Sequence, residues 1–243
     1  MSVEVSLPSA KGFFKGKFTF LFFSFVLLFL LSPFTQDKTF LLKALFTLLI
    51  FSSVYAVSNK RKLWVIALCF VIPDVFLTWG TILFWKKELT YLGLSYINIF
   101  HVDLIWRTLF LIFVAVNVLI RIMRTRQVTT DTIFGAFCVY FFMAIIWSQI
   151  YVLMESLSPA SFAFHHQPEL SGTPGQIIGT IGLNFLYYSF VTLTTLGYGD
   201  ITPISLHAKS FAAFEAVAGQ LYLAVLVARL VGLHISGSKK QDT

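Results

Sequence analysis

Six stretches of this chain are too apolar and too long to lie on the surface of a water-soluble fold, and they constrain everything else. They run over residues 13–33, 39–58, 63–85, 102–123, 132–154 and 206–234. Each comes close to the roughly 20 residues that a helix needs to cross the hydrocarbon core of a bilayer. In lipid no water satisfies the backbone, so such a segment must bond to itself and is predicted to be helical. The composition agrees: of 243 residues 57% are hydrophobic and only 12% charged, with a mean hydropathy of +0.82 and 28 phenylalanines. Soluble domains carry about a quarter charged residues, so a soluble globular fold is excluded, and disorder with it. The loops left over are too short to hide a soluble catalytic or ligand-binding domain.

The net charge of +7 comes from 18 Lys and Arg against 11 Asp and Glu. Eleven of the 18 fall in four clusters between the apolar runs: Lys11, Lys15 and Lys17; Lys60, Arg61 and Lys62; Arg121, Arg124 and Arg126; Lys239 and Lys240. Clusters that alternate with poorer segments mark cytoplasmic loop ends rather than a phosphate-binding face, so no nucleic-acid partner is expected. Between Met154 and Leu206 there is no Lys or Arg at all. Both termini are therefore expected in the cytoplasm of a multi-pass cell-membrane protein, with residues 155–206 outside. Ser32 and Pro33 do not make a small-x-small cleavage site, so the first span is read as retained, with Lys15 and Lys17 reaching down to the interface. Nine residues follow the sixth span, and no regulatory domain is expected there. Cys69 and Cys138 lie inside apolar runs and read as small buried side chains rather than a disulfide.

The chemistry is concentrated between the fifth and sixth spans. Residues 155–176 are polar and rich in turn formers, with Pro159, His165, His166, Pro168, Gly172, Pro174 and Gly175, and read as a long outer loop. From Ile177 to Thr194 the chain is apolar and aromatic again, IIGTIGLNFLYYSFVTLT, and then meets TLGYGD at Thr195–Asp200. An apolar helix ending in glycines, followed by a span starting on the same side, is predicted to enter from outside and stop partway. Non-helical backbone at that depth survives only where it is buried in protein or lines a wet path. Gly197 and Gly199 can take left-handed conformations that Leu196 and Tyr198 cannot take cheaply, and this alternation can aim successive carbonyl oxygens to one side. Thr195 adds a hydroxyl at the inner end. Such a row, with no cationic side chain in it, can replace the water shell of a hard monovalent cation.

SFVTLTTLGYGDITP resembles the signature of potassium channels, whose filter is usually written TVGYG. The resemblance extends from the re-entrant helix to the end of the sixth span. It implies an all-α membrane protein with a tetrameric potassium channel fold, made of six transmembrane helices, a re-entrant pore helix and a selectivity filter. Residues 1–126 would form a four-helix module like a voltage sensor. Residues 127–243 would form the pore domain, with outer helix 132–154, loop 155–176, pore helix 177–194, filter 195–200 and inner helix 206–234. The resemblance implies that backbone oxygens of Thr195, Leu196, Gly197 and Tyr198 coordinate K+ and that the Thr195 hydroxyl closes the innermost site, with Gly199 completing the filter. Potassium is then the permeant ion, with no cofactor. Tyr187 and Tyr188 fall where the family has an aromatic cuff, and Tyr188 is expected to hydrogen-bond Asp200 behind the filter. Thr194 marks the carboxyl end of the pore helix, which would face the axis. One filter strand cannot surround an ion, so a homotetramer in membrane lipid is expected. Leu196 departs from the family's common valine, and Val191 stands where some members carry a buried Glu.

Gly219 falls where relatives bend the inner helix, or it permits a close helix contact. Leu223 and Val227, further along the same face, would line an inner cavity. Glu215, alone in an apolar run, is read either as a structural hydrogen bond near the base of the filter or as a functional site. A working voltage sensor needs a cation at every third position of the fourth helix. Here that helix reads HVDLIWRTLFLIFVAVNVLIRIMRTR, with Arg107 alone in the apolar part, so steep voltage gating is not expected. Asp74 and Arg107 are an opposite pair deep enough to need each other, with Asp103 assisting at i−4. Lys43 and Arg229 are expected to snorkel, and His165 and His166 to be exposed. The rival readings are a weakly selective monovalent cation channel, a cation transporter and a membrane enzyme. The last lacks convergent polar groups, because Asp74, Arg107 and Glu215 are dispersed.

Overall fold

The computed structural model describes residues 16–35, 39–58, 61–83, 96–125, 128–165 and 174–238. Its helices are α1 (Lys17–Leu31), extended by a 3-10 turn at Ser32–Thr35, α2 (Thr39–Val57), α3 (Arg61–Leu83), α4 (Tyr96–Arg124), α5 (Thr130–Leu157), α6 (Pro174–Leu193) and α7 (Leu206–Ser238). All except α6 are long and apolar enough to cross a membrane, giving six candidate spans. The expected positions 11, 15, 60, 126, 166, 168, 172, 239 and 240 lie outside the described residues, as does the junction at 126–127 between the two proposed domains.

The helices overrun the apolar runs. α4 begins at Tyr96 rather than 102, α5 ends at Leu157 rather than 154, and α6 begins at Pro174 rather than 177. Hydropathy reports where lipid ends, whereas a backbone ladder continues until something stops it. Pro174 suits a first helical position because its missing N–H would find no intrahelical partner anyway. Thr129 caps α5, accepting from the Thr132 amide at 3.2 Å. The outer loop also holds structure that its composition hid. β1 (Phe162–Phe164) pairs antiparallel with β2 (Ile201–Pro203), Phe162 opposite Pro203 and Phe164 opposite Ile201.

One continuous core crosses the boundary between the two proposed domains. Residues of α1, α2, α3 and α4 pack with Ala136, Cys138, Phe142 and Ile145 of α5 and with Leu186 of α6. Phenylalanines carry much of the seam: Phe22 lies 4.8 Å from Phe134, Phe25 4.9 Å from Phe142, and Phe29 4.7 Å from Phe190, centroid to centroid. Asp131 of α5 caps α1 from outside that helix, taking the amides of Phe18 and Thr19 at 2.9 and 3.1 Å. Those are orphan donors of a first turn, and a carboxylate at a helix N-terminus also meets the positive end of its dipole. Gly16 makes room for it, since a Cβ there would overlap Asp131.

Two cations expected to snorkel do not. The Lys43 ammonium donates to the Thr78 carbonyl at 3.0 Å, turning inward between α2 and α3. Arg229 of α7 reaches the end of α4, donating to the carbonyls of Ile122 at 3.2 Å, Thr125 at 2.8 Å and Met123. A helix C-terminus offers carbonyls without partners and a partial negative charge, which hold a guanidinium better than a lipid interface does. Lys17 is likewise tied down, to the Ser58 hydroxyl at 3.0 Å and over the Tyr55 ring. Cys138 is buried and Cys69 exposed, both as free thiols.

Candidate functional site

Where α6 stops, the chain folds back over the helix end. The amides of Thr194, Thr195 and Leu196 donate to the carbonyls of Phe190, Thr192 and Val191 at 3.0, 2.9 and 2.9 Å, and Gly197 shares Val191 at 3.4 Å. These donors are spent inward on orphan carbonyls of the helix. The carbonyl oxygens of residues 195–198 accept no backbone hydrogen bond among the described residues. The alternation anticipated for the glycines is present, with φ +60° at Gly197 and +79° at Gly199. Thr195 also lies in the left-handed region, at φ +59°. A side chain there costs about 1–3 kcal/mol, so strain is stored at the inner end of the row. Leu196 and Tyr198 stand 56% and 66% exposed on the protomer. The result is an exposed edge of unpaired oxygens, which is a cation-coordinating chemistry and not an anion-binding one.

The expected tie between Tyr188 and Asp200 is not present. Tyr187 is the residue that meets the Asp200 carboxylate, and its ring stacks 6.5 Å from Tyr198 at an interplanar angle of 7°. Successive helix positions are turned by about 100°, so adjacent tyrosines cannot share a face. Tyr188 points the other way, pairing with Thr192 and packing its ring edge-on to Tyr151 and Phe162, at 5.2 and 5.5 Å. The outer end of the row is held by the small sheet. The His165 amide donates to the Asp200 carbonyl at 2.8 Å, and the Ile204 amide to that of Ser161, also at 2.8 Å. Glu155, at the end of α5, organises the turn by accepting from the amides of Ala160 and Phe162 at 2.8 and 3.2 Å. His165 is exposed, as expected.

Glu215 is fully buried, at 0% exposure, and joins the three helices of this region. It accepts the Tyr151 hydroxyl of α5 at 2.5 Å and the Ser189 hydroxyl of α6. Both carboxylate oxygens therefore have a donor. Val191, two residues nearer the filter than Ser189 on α6, is buried and is not a carboxylate, and Glu215 approaches the same helix from α7 instead.

Gly219 makes the close contact. A Cβ there would stand 2.5 Å from the Leu193 carbonyl oxygen and 3.0 Å from its side chain. α7 runs unbroken from Leu206 to Ser238 through this position. The same Leu193 carbonyl accepts the Tyr140 hydroxyl at 3.1 Å, so the last turn of α6 is gripped from α5 and α7 together. Gly219→Ala is expected to force α7 away from the base of the filter, at a cost of about 1–3 kcal/mol for overpacking. A lower thermal midpoint of the detergent-solubilised protein would report it; an unchanged midpoint would mean that this contact is looser than the distances say. The next residue, Gln220, went unmarked in the sequence. Its amide donates to the Thr195 hydroxyl at 3.4 Å, beside the proposed innermost site. A lone amide in an apolar run is a weak signal, though it was legible. Leu223 and Val227 are exposed on the protomer, on the side of α7 that has no partner among the described residues.

In the four-helix module the structure brings Asp74, Arg107 and Asp103 together. Arg107 Nε lies 3.1 Å from Asp74 Oδ1, and Nη2 lies 2.6 Å from Asp103 Oδ2 and 2.9 Å from Thr78 Oγ1. Pro73 interrupts the α3 ladder just before Asp74, and the Trp106 indole donates to the Phe70 carbonyl beside the break at 2.9 Å.

These features define the class: six candidate spans, a helix whose apolar part, Ile177–Leu193, is shorter than a span, and a left-handed, oxygen-lined turn make an all-α channel fold. Residues 168–234, which hold α6, the turn and most of α7, match the protein family described as "Ion channel". The chain is also similar to Protein LctB of Bacillus caldotenax, 28% identical over 112 residues, which is 46% of this chain and 79% of that protein. The family match supports an ion channel rather than an enzyme, in a multi-pass membrane setting.

Proposed function

We propose that the chain is one subunit of a homotetrameric potassium-selective channel that lets K+ cross the cell membrane passively, with both termini in the cytoplasm. The observation that carries this reading is the run Thr195–Tyr198, with the amides of Thr195, Leu196 and Gly197 tied back to α6 and the carbonyls of all four unpaired among the described residues. Dehydrating a potassium ion is costly, and a ring of such oxygens replaces the lost water. A single edge supplies one side of that ring, and a four-fold axis closes it. The apolar face of α7, with Phe214, Val217, Leu221 and Val225 exposed, suits burial against further copies. The carboxyl ends of four α6 helices, near Thr194, would place partial negative charge below the filter.

Purified protein in planar bilayers tests the reading. With potassium and sodium gradients opposed, the current should reverse close to the potassium equilibrium potential. Reversal near zero would make the chain a weakly selective monovalent cation channel instead, and cross-linking that stopped at the dimer would remove the four-fold axis.

Open probability is expected to change little with voltage. Arg107 is held by two carboxylates and a hydroxyl, and Arg121 donates to the Ala56 carbonyl at 3.3 Å. One charge per subunit crossing the whole field is worth about 2.3 kcal/mol per 100 mV, so four supply at most about 9. The limiting slope of conductance against voltage measures the gating charge. A slope typical of three or four sensing charges in each subunit would refute this expectation.

A further inference from the structure

A cavity of about 180 Å³ lies behind the pore helix, where α2, α3 and α4 meet α5 and α6. Its location makes it unlike a crevice in either half, since it is walled by both. Lys43, Asp103, Arg107 and Gln149 are among its polar lining, and the remainder is mostly apolar, with Phe46, Leu183 and Ile145 among it. Three observations point to an occupant. Gln149 is only 7% exposed, yet its side chain makes no hydrogen bond among the described residues. Asp103 Oδ1 is buried and likewise without a partner. The α6 wall is hollowed at Gly182, where an added Cβ would meet nothing within 4 Å. A buried carboxylate oxygen left unpaired is costly, and a ligand hydroxyl that donates to it, with the Gln149 amide available beside the same cavity, removes that cost.

The charge balance selects the class of ligand. Among the described residues Lys43 and Arg107 are matched by Asp74 and Asp103, which leaves no net charge there to hold an ionic head. We propose that this cavity binds an uncharged amphiphile, with a hydroxyl head against Gln149 and Asp103 and a single hydrocarbon chain along the aliphatic wall. Such a molecule would bridge the four-helix module and the back of the pore helix. Its binding does not depend on the potassium reading, because the cavity contains no filter residue.

A diazirine-bearing aliphatic alcohol, photolysed with the full-length protein in detergent, tests this. Adducts are expected on cavity-lining residues and should be displaced by 1-decanol if the natural source is a free alcohol, or more strongly by monodecanoylglycerol if it is a glycerolipid. Decanoate and decylamine should compete at least about tenfold less well. Gly182→Phe should fill the hollow and abolish the adducts while circular dichroism and elution volume stay the same. Gln149→Leu, in case that variant fails to fold, should raise the half-saturating concentration of 1-decanol by about threefold or more. Adducts scattered over lipid-facing helices, equal competition by a charged analogue, or an unchanged half-saturating concentration in Gln149→Leu would each overturn the proposal.

Discussion

Gly199→Ala is expected to abolish potassium-selective flux while leaving each subunit folded. Gly199 sits at φ +79°, where an L-residue with a Cβ is strained by roughly 1–2 kcal/mol. In the proposed tetramer the penalty recurs in every copy around the axis, at a place where each copy must direct its oxygens alike. A Cβ on Gly199 would meet nothing within 4 Å in its own chain, so the substitution does not disturb the protomer by collision. The chain can relieve the strain by turning the peptide between Tyr198 and residue 199, and that motion swings the Tyr198 carbonyl out of the row. Coordination at the outer sites is then lost, while the packing of α5, α6 and α7 through Glu215 and Gly219 is untouched. Gly197→Ala, at φ +60°, should behave in the same way. Liposome potassium flux measured against sodium, alongside the thermal midpoint, separates the two effects. Flux that stayed potassium-selective in Gly199→Ala would mean that the carbonyl row is not the conduction path.

The spans were legible because lipid imposes one requirement on every residue of a crossing segment, and composition registers it directly. The helix ends were not, because Asp131 caps α1 from a helix more than a hundred positions away, and no local pattern around Lys17 announces it. A similar limit explains Lys43 and Arg229. Snorkelling treats each cation as if it faced lipid alone, but the Thr78 carbonyl and the carbonyls at the end of α4 are within hydrogen-bond reach.

At the site, the residue types in TLGYGD state their own conformational needs, so the left-handed glycines could be anticipated from chemistry. Thr195 could not, because its positive φ is imposed by the amides that bond back to α6. The choice between Tyr187 and Tyr188 depends on the rotation of α6 about its axis. That rotation is set by Tyr140, Gly219 and Glu215 on neighbouring helices, none of which is adjacent in sequence. Glu215 itself was conspicuous as a carboxylate among apolar residues. Its two partners, a serine and a tyrosine, are ordinary in spans and carried no mark of their role.

Arg107→Leu is expected to cost about 3–5 kcal/mol of stability, more than the bonds it removes would suggest. Asp74 is 0% exposed, and its second oxygen, like that of Asp103, already has no partner among the described residues. The guanidinium therefore supplies most of the compensation for two carboxylates on facing helices. Without it, Asp74 is left buried with no compensating cation, and it also faces Asp103 with no cation between them. Asp74→Leu alone strands the guanidinium less severely, since Asp103 and Thr78 still hold it at 2.6 and 2.9 Å. Removing both members of the pair takes away the desolvation burden together with the attraction. The double variant should thus lose less than Arg107→Leu, with a coupling of about 2 kcal/mol or more between the two positions. Thermal unfolding of the four proteins in detergent closes the cycle. Additive losses would show that the two groups do not feel each other, which would require α3 and α4 to sit in a different register, with the Pro73 break and the Trp106 bond displaced along with them.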